Sequence, residues 1–224
     1  MEIKKVTLVH FSPSGTTRKT ARILSESFGL PVEEANLLRD PSASRSFDPD
    51  ELVIFCLPVY AGRLPKSCPK LLRHFVGAGT PALAVTVYGN RDYDDALREL
   101  ADLLREQGFA LAGAAAVVAQ HSIFPEVAAG RPDAADAAKL REFAASAAEK
   151  LRLASAPDEL GILSVPGNFP YCKPASVPVH PRTSKACIQA CPVDARSFGG
   201  PVYAIGSKLF AHKCAAPRQP EFFL

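Results

Sequence analysis

Four short runs of apolar residues, VTLVHF (6–11), ELVIFCLPV (51–59), ALAVTVYG (82–89) and FALAGAAAVVA (109–119), dominate the first half of the chain. A strand wet on one face would alternate with polar residues, and these barely do, so they read as strands buried on both faces. Loops follow them, and most lead into stretches with a 3.6-residue apolar period. Ala21, Leu24 and Phe28 form one stripe, Leu97, Leu100 and Leu104 a second, and Leu140, Phe143, Ala147 and Leu151 a third. Asp94 or Asp95 stands where a cap for the second helix belongs. A weaker strand falls near PVEEANLL (31–38). Five strands with intervening helices predict an α/β fold, a doubly wound five-stranded parallel sheet covered on both faces, over residues 1–155. A chain of 224 residues with 47% hydrophobic composition suits one such domain and a smaller addition.

After about Ser155 the character changes. Proline becomes frequent and periodicity disappears, so 156–181, including VPGNFPYCKPASVPVHP (165–181), reads as an extended connector that packs by individual side chains. Residues 182–224 form a small C-terminal segment. The net charge of +3 belongs to this last part: from Ala156 onward there are 7 basic and 4 acidic residues, which leaves 19 of each before it. A balanced first domain has no basic footprint for nucleic acid. No apolar run approaches the ~20 residues that span a bilayer, and MEIKKVTLVHFSPSG lacks a small-residue cleavage site after a signal-like core. The expectation is a cytoplasmic protein. Cys56 and Cys68 lie in the first half, while Cys172, Cys187, Cys191 and Cys214 crowd into the last quarter. In a reducing compartment such crowding suggests metal or redox chemistry before disulfides.

The turn after the first strand, HFSPSGTTRKTA (10–21), concentrates hydroxyls at the carboxyl edge of the sheet, where doubly wound folds bind ligands. Ser12, Ser14, Thr16 and Thr17 can each donate a hydrogen bond, and Gly15 lets the backbone curl so that amides converge at a helix N-terminus. There is neither the G-K-[ST] of a nucleoside-triphosphate loop nor a G-x-G-x-x-G. The turn suits a phosphate monoester held by neutral donors, or simply an N-capped helix.

Two more loops lie at the same edge, PVYAGRLP (58–65) and VYGNRDYDD (87–95). Their tyrosines could stack on a flat heterocycle or merely pack, and Gly62, Gly89 and Asn90 would let backbone groups approach its polar edge. Together, SPSGTT (12–17) and YGNRDYDDAL (88–97) resemble the flavodoxin superfamily over roughly residues 3–152. The resemblance implies a flavodoxin-like sheet and flavin mononucleotide (FMN). Ser12, Ser14, Gly15, Thr16 and Thr17 would surround the phosphate, Tyr60, Ala61, Gly62 and Tyr93 would flank the ring, Gly89 and Asn90 would meet its pyrimidine edge, and Tyr88 is either ring contact or strand. His121, in QHSIF (120–124), would reach flavin or substrate, or make a local hydrogen bond.

The tail KACIQACPVDA (185–195) carries C-x3-C-P, the closing half of a bacterial ferredoxin run. With PGNFPY (166–171) it makes the chain resemble flavodoxin–ferredoxin fusion proteins with two [4Fe-4S] clusters. The earlier ligand positions hold Pro181 and Ser184, and SKLFAHKCAAPRQP (207–220) retains only Cys214. Cys187 would serve one cluster, and Cys191 and Cys214 the other. Each cluster needs four thiolates, so the reading is a degenerate ferredoxin-like remnant without metal. Such a remnant would be mobile or would lean on the first domain through Phe198, Tyr203, Phe210, Phe222 and Phe223.

The resulting expectation is an FMN-dependent electron-transfer flavoprotein, with no protein-supplied acid–base pair, that serves a redox partner protein or a small-molecule electron acceptor. The alternatives are an NAD(P)H-dependent flavin reductase of quinones or other small acceptors, with an open site beside Tyr60 and His121, and a cofactor-free binding or scaffold protein.

Overall fold

Strands apolar on both faces need helices on both sides, and the chain supplies them. The computed structural model describes residues 1–174 and 201–224. Along the chain run β1 (Lys5–His10), α1 (Thr16–Glu26), β2 (Val32–Asn36), β3 (Arg45–Phe47), β4 (Glu51–Pro58), α2 (Cys68–Leu72), β5 (Phe75–Gly77), β6 (Thr80–Tyr88), α3 (Ala96–Glu106), β7 (Phe109–Val118), α4 (Ala134–Leu153), α5 (Pro201–Lys213) and β8 (Glu221–Phe223). The main sheet is ordered β2-β1-β4-β6-β7-β8, and β3 pairs only with β5. All pairings from β2 to β7 are parallel. With β3 and β5 set aside, this is the 2-1-3-4-5 order of the flavodoxin-like arrangement.

Alternate residues of each strand feed opposite layers. Val6, Leu8, Leu52 and Ile54 pack with Ala21 and Leu24 of α1 and with Leu140, Phe143 and Ala147 of α4. Val9, Val53, Phe55 and Leu57 pack with Leu97, Leu100 and Leu104 of α3. The main sheet has six strands, where five are expected. β8 pairs antiparallel with β7, Ala114 opposite Phe223 and Ala116 opposite Glu221. A segment as short as EFF carries no periodicity of its own, and its partner is about a hundred residues upstream, so local reading passes over it.

Four of the aromatic residues expected to lean on the first domain do so. Phe222 stacks on Phe143 with centroids 4.9 Å apart, Phe223 packs against the α3-side core, and Tyr203 and Phe210 join a small cluster with Ile123, Phe124 and Val127. Phe198, Cys187 and Cys191 lie outside the described residues.

The connector follows the α3 face closely. Leu163 and Val165 are buried in the α3-side core. Asp95 sits at the N-terminus of α3, but its carboxylate does not cap the helix. It accepts instead from the backbone amide of Asn168 at 2.8 Å, the Asn168 side chain at 3.1 Å and the amide of Cys172 at 2.6 Å. The Tyr171 hydroxyl donates to Asp102 at 3.0 Å. The side chain that does cap is Asp133, at the start of α4, in a reciprocal pair with Asp136.

Removing the Asp95 carboxylate strands three donors, so Asp95→Ala should lower stability at neutral pH by about 2–4 kcal/mol, measured as a denaturant midpoint. Burial pushes this carboxyl up, and the Asn168 and Cys172 donors pull it further down, to a net value below the ordinary range. Its stabilisation is therefore complete above the unfolded-state value near 4 and is lost as pH falls through the lower folded value. The difference in stability between wild type and Asp95→Ala should shrink on acidification; a constant difference from pH 7 to pH 2 contradicts this account.

Candidate functional site

At the carboxyl edge, β1 ends in His10 and the chain turns through Gly15 at φ +82°, the left-handed region that a glycine adopts without strain. No atom lies within 4 Å of the Cβ that another residue would add there. Ser12 Oγ accepts the amide of Arg18 at 2.9 Å, and the Ser14 and Thr16 hydroxyls bond each other at 3.0 Å. The amides of Thr16 and Thr17, in the first turn of α1, have no intrahelical acceptor. The nearby cations are committed elsewhere. Arg18 and Arg22 each pair with Glu34 at 2.7 Å, and Lys19 donates to the carbonyl of Pro132 at 2.6 Å. Partial burial pushes the Glu34 carboxyl up, but the two guanidiniums more than reverse it, to about 2. Burial pushes His10 down, toward the neutral imidazole. An anion at this turn meets amides, hydroxyls and the positive end of α1.

A hollow opens above the turn, lined by Pro13, Ser14, Thr16 and Thr17 and by Tyr60, Tyr88 and His121. A second, larger hollow continues from it over Tyr60, Ala61, Gly62, Tyr88, Phe124 and Phe210. Val59, Tyr60, Tyr88, Gly89, His121 and Ser122 belong to both, so the two form one trough.

Each wall has a local cause. Tyr60 and Arg63 exchange backbone hydrogen bonds at 2.8 and 3.2 Å around Ala61 (φ +55°) and Gly62 (φ +85°), a tight turn with both central residues left-handed. A side chain at Gly62 would meet Asp94 Oδ2 at 2.2 Å. Arg63 fixes the turn from behind: it donates to both oxygens of Glu99 at 2.8 and 2.9 Å and to the carbonyl of Cys172 at 2.8 Å, and it lies 4.7 Å over the Tyr171 ring. His121 Nδ1 accepts the amides of Ile123 and Phe124, both at 3.1 Å, which puts the proton of a neutral ring on Nε2. The His121 ring stacks on Phe124 and lies 4.8 Å from Phe210.

Ser14, Thr16, Thr17, Tyr60, Ala61, Gly62, Tyr88, Gly89 and His121 thus line the trough, while Ser12 and Gly15 shape its turn. Asn90 and Tyr93 do not line it. Tyr93 is buried edge-on against Tyr88, and its hydroxyl donates to Glu221 at 2.7 Å. The Asn90 side chain is spent on backbone groups of residues 214–218. In this arrangement the Tyr93 ring lies against Tyr88 and outside the lining of the trough. Gly89 is required by the His121 ring, since an added Cβ would lie 2.4 Å from its Cδ2. Phe124 and Phe210 are among the lining residues that loop chemistry did not single out, together with Arg91, Asp92, Ser122 and Ile123. Phe124 was visible only as the end of QHSIF, and Phe210 only as an aromatic in the tail.

Cys214 is buried and its carbonyl accepts from Asn90 at 2.8 Å. Among the described residues no group of three or more His, Cys, Asp and Glu side chains is gathered closely enough to hold a metal, and no helix is long and apolar enough to cross a membrane.

No protein-family model and no curated protein sequence matches the chain. Among solved structures it is similar to a short-chain flavodoxin associated with a non-canonical PDU bacterial microcompartment, at 14% identity and TM-score 0.47, covering 66% of this chain and 99% of that one. It is similar to a flavodoxin from the domain Archaea, at 15% identity and TM-score 0.42, over 66% and 99% of the two chains. An FMN-dependent NADH-azoreductase from Bacillus anthracis, in complex with FMN, matches at 11% identity and TM-score 0.41 over 68% and 100%. These likenesses are distant, at 11–15% identity.

Gly89→Ala should displace the His121 ring and lower stability by about 1–3 kcal/mol through overpacking. A denaturant midpoint together with the His121 imidazole resonances tests this; a variant in which both match wild type shows that the close contact is not rigid.

Proposed function

We propose that this chain is an FMN-dependent electron-transfer flavoprotein. The observation that carries the reading is the continuity of the trough, from a turn of hydroxyls and helix-N-terminal amides to an aromatic chamber, along the carboxyl edge of a 2-1-3-4-5 sheet. That sequence of chemistries fits a phosphate joined through a polar chain to a flat heterocycle. Thr16, Thr17 and the first amides of α1 would hold the phosphate, and Tyr60 and Tyr88 would bound the ring, with His121 beside it. When bound, FMN supplies one- and two-electron transfer. The residues' part is to bind, orient and shield the ring. Burial raises the Tyr60 hydroxyl to about 12, so it stays protonated across the physiological range. In this reading residues 1–155 are the FMN domain, the chain works in the cytoplasm, and electrons pass to a redox partner protein or a small-molecule acceptor. The tail thiols Cys187, Cys191 and Cys214 are too few for a [4Fe-4S] cluster.

The purified protein should show paired flavin absorption bands in the near ultraviolet and blue. Replacing Thr16 and Thr17 together with Val removes two hydroxyl donors from a charged group, each worth about 1.5–3 kcal/mol, so FMN should bind at least tenfold more weakly. An unchanged dissociation constant removes the phosphate assignment. Rapid NAD(P)H oxidation coupled to quinone reduction by the FMN-loaded protein would assign the reductase role instead, and a protein that takes up no flavin would leave the scaffold reading.

A further inference from the structure

The loop after β6 turns its side chains toward the end of the chain. Asn90, buried and at φ +60°, uses every polar atom of its amide there. Its Nδ2 donates to the carbonyls of Cys214 at 2.8 Å and Ala216 at 3.1 Å, and its Oδ1 accepts the amide of Arg218 at 2.9 Å. Asp92 pairs with the Arg218 guanidinium at 2.8 Å, and the Tyr93 hydroxyl donates to Glu221 at 2.7 Å. Asn tolerates the left-handed region better than other branched side chains and can satisfy two carbonyls and one amide at once, which accounts for its presence here.

This clasp sets the position of α5. Immediately before the clasped residues, Phe210 enters the aromatic chamber, its ring centroid 4.8 Å from those of both His121 and Phe124, while the Tyr203 hydroxyl donates to the carbonyl of Ile123 at 2.8 Å. The larger hollow therefore takes one of its walls from a residue beyond the FMN domain.

We propose that residues 201–224 are a working part of the cofactor chamber: Asn90 docks them, Phe210 forms the wall that bounds the ring, and ring binding and tail docking reinforce each other. This rests on the FMN reading. Coupling between two such events is reciprocal, so the factor by which docking tightens the flavin is the factor by which the flavin tightens docking.

The test uses the full chain and measures dissociation constants for FMN and for riboflavin, which lacks the phosphate, together with hydrogen exchange of the α5 amides. Phe210→Ala should weaken both flavins by the same factor, about tenfold for one lost aromatic contact, and leave their ratio unchanged because Phe210 does not line the hollow over the phosphate turn. Phe210→Tyr should restore affinity, which separates loss of the wall from general damage to the fold. Saturating FMN should slow α5 exchange in wild type by about tenfold, and Asn90→Ala should speed it in the flavin-free protein. Unchanged flavin affinity in Phe210→Ala, or α5 exchange indifferent to FMN, overturns the inference and leaves the FMN reading standing. A wild-type chain that binds neither flavin overturns the FMN reading itself.

Discussion

One buried carboxylate, Asp95, holds three distant parts of the chain together. Its oxygens collect the amides of Asn168 and Cys172, its own amide donates to the carbonyl of Gly62 at 3.2 Å, and its carbonyl accepts from Glu99 in the first turn of α3. The tight turn beside the chamber, the helix behind it and the connector laid across that helix are thereby fixed relative to one another. Arg63 repeats the connection from the other side through Glu99, Tyr171 and the Cys172 carbonyl. A buried charge is tolerated only when its hydrogen bonds are made, and here those bonds are also what gives Tyr60 a rigid support.

The trough is assembled with little free charge. At the turn, the guanidiniums of Arg18 and Arg22, which could attract an anion, are held by Glu34. Binding there depends on oriented amides and hydroxyls, which discriminate by geometry more than by net charge. At the other end the walls carry Tyr60, Tyr88, Phe124 and Phe210, and the charged lining residues Arg91 and Asp92 are paired with Asp94 and Arg218. Such a division suits a ligand with one charged terminus and one flat apolar terminus, and gives little hold to a compact polyanion.

The central strands, the helix stripes and the hydroxyl turn were legible because their causes are local: uninterrupted apolar runs, a 3.6-residue period, and a Ser/Thr-rich turn after a strand. The loop residues divide differently. Tyr60, Tyr88 and His121 line the trough as their positions suggest, while Asn90 and Tyr93, in the same loop chemistry, serve partners more than 120 positions away in sequence. Nothing near Asn90 marks it as a clasp, since Cys214 and Ala216 contribute only backbone carbonyls and any residue type offers those. Asp95 is a related case. Its place at the start of α3 reads as a cap, and the connector outcompetes the helix for its carboxylate. The sixth strand was illegible for want of length.

The antiparallel seam between β7 and β8 carries a consequence for how the chain comes off the ribosome. β7 is otherwise an edge, and the strand that covers it lies roughly a hundred residues downstream. At about 5–20 residues per second that edge stays open for several seconds, with every other strand of the main sheet already synthesised. An exposed parallel edge invites pairing with neighbouring chains. The same late segment brings α5 to the aromatic chamber, so protection of the sheet and completion of the site arrive together. A nascent chain stalled before this point is exposed to aggregation at the flank of the sheet while the aromatic chamber still lacks Phe210.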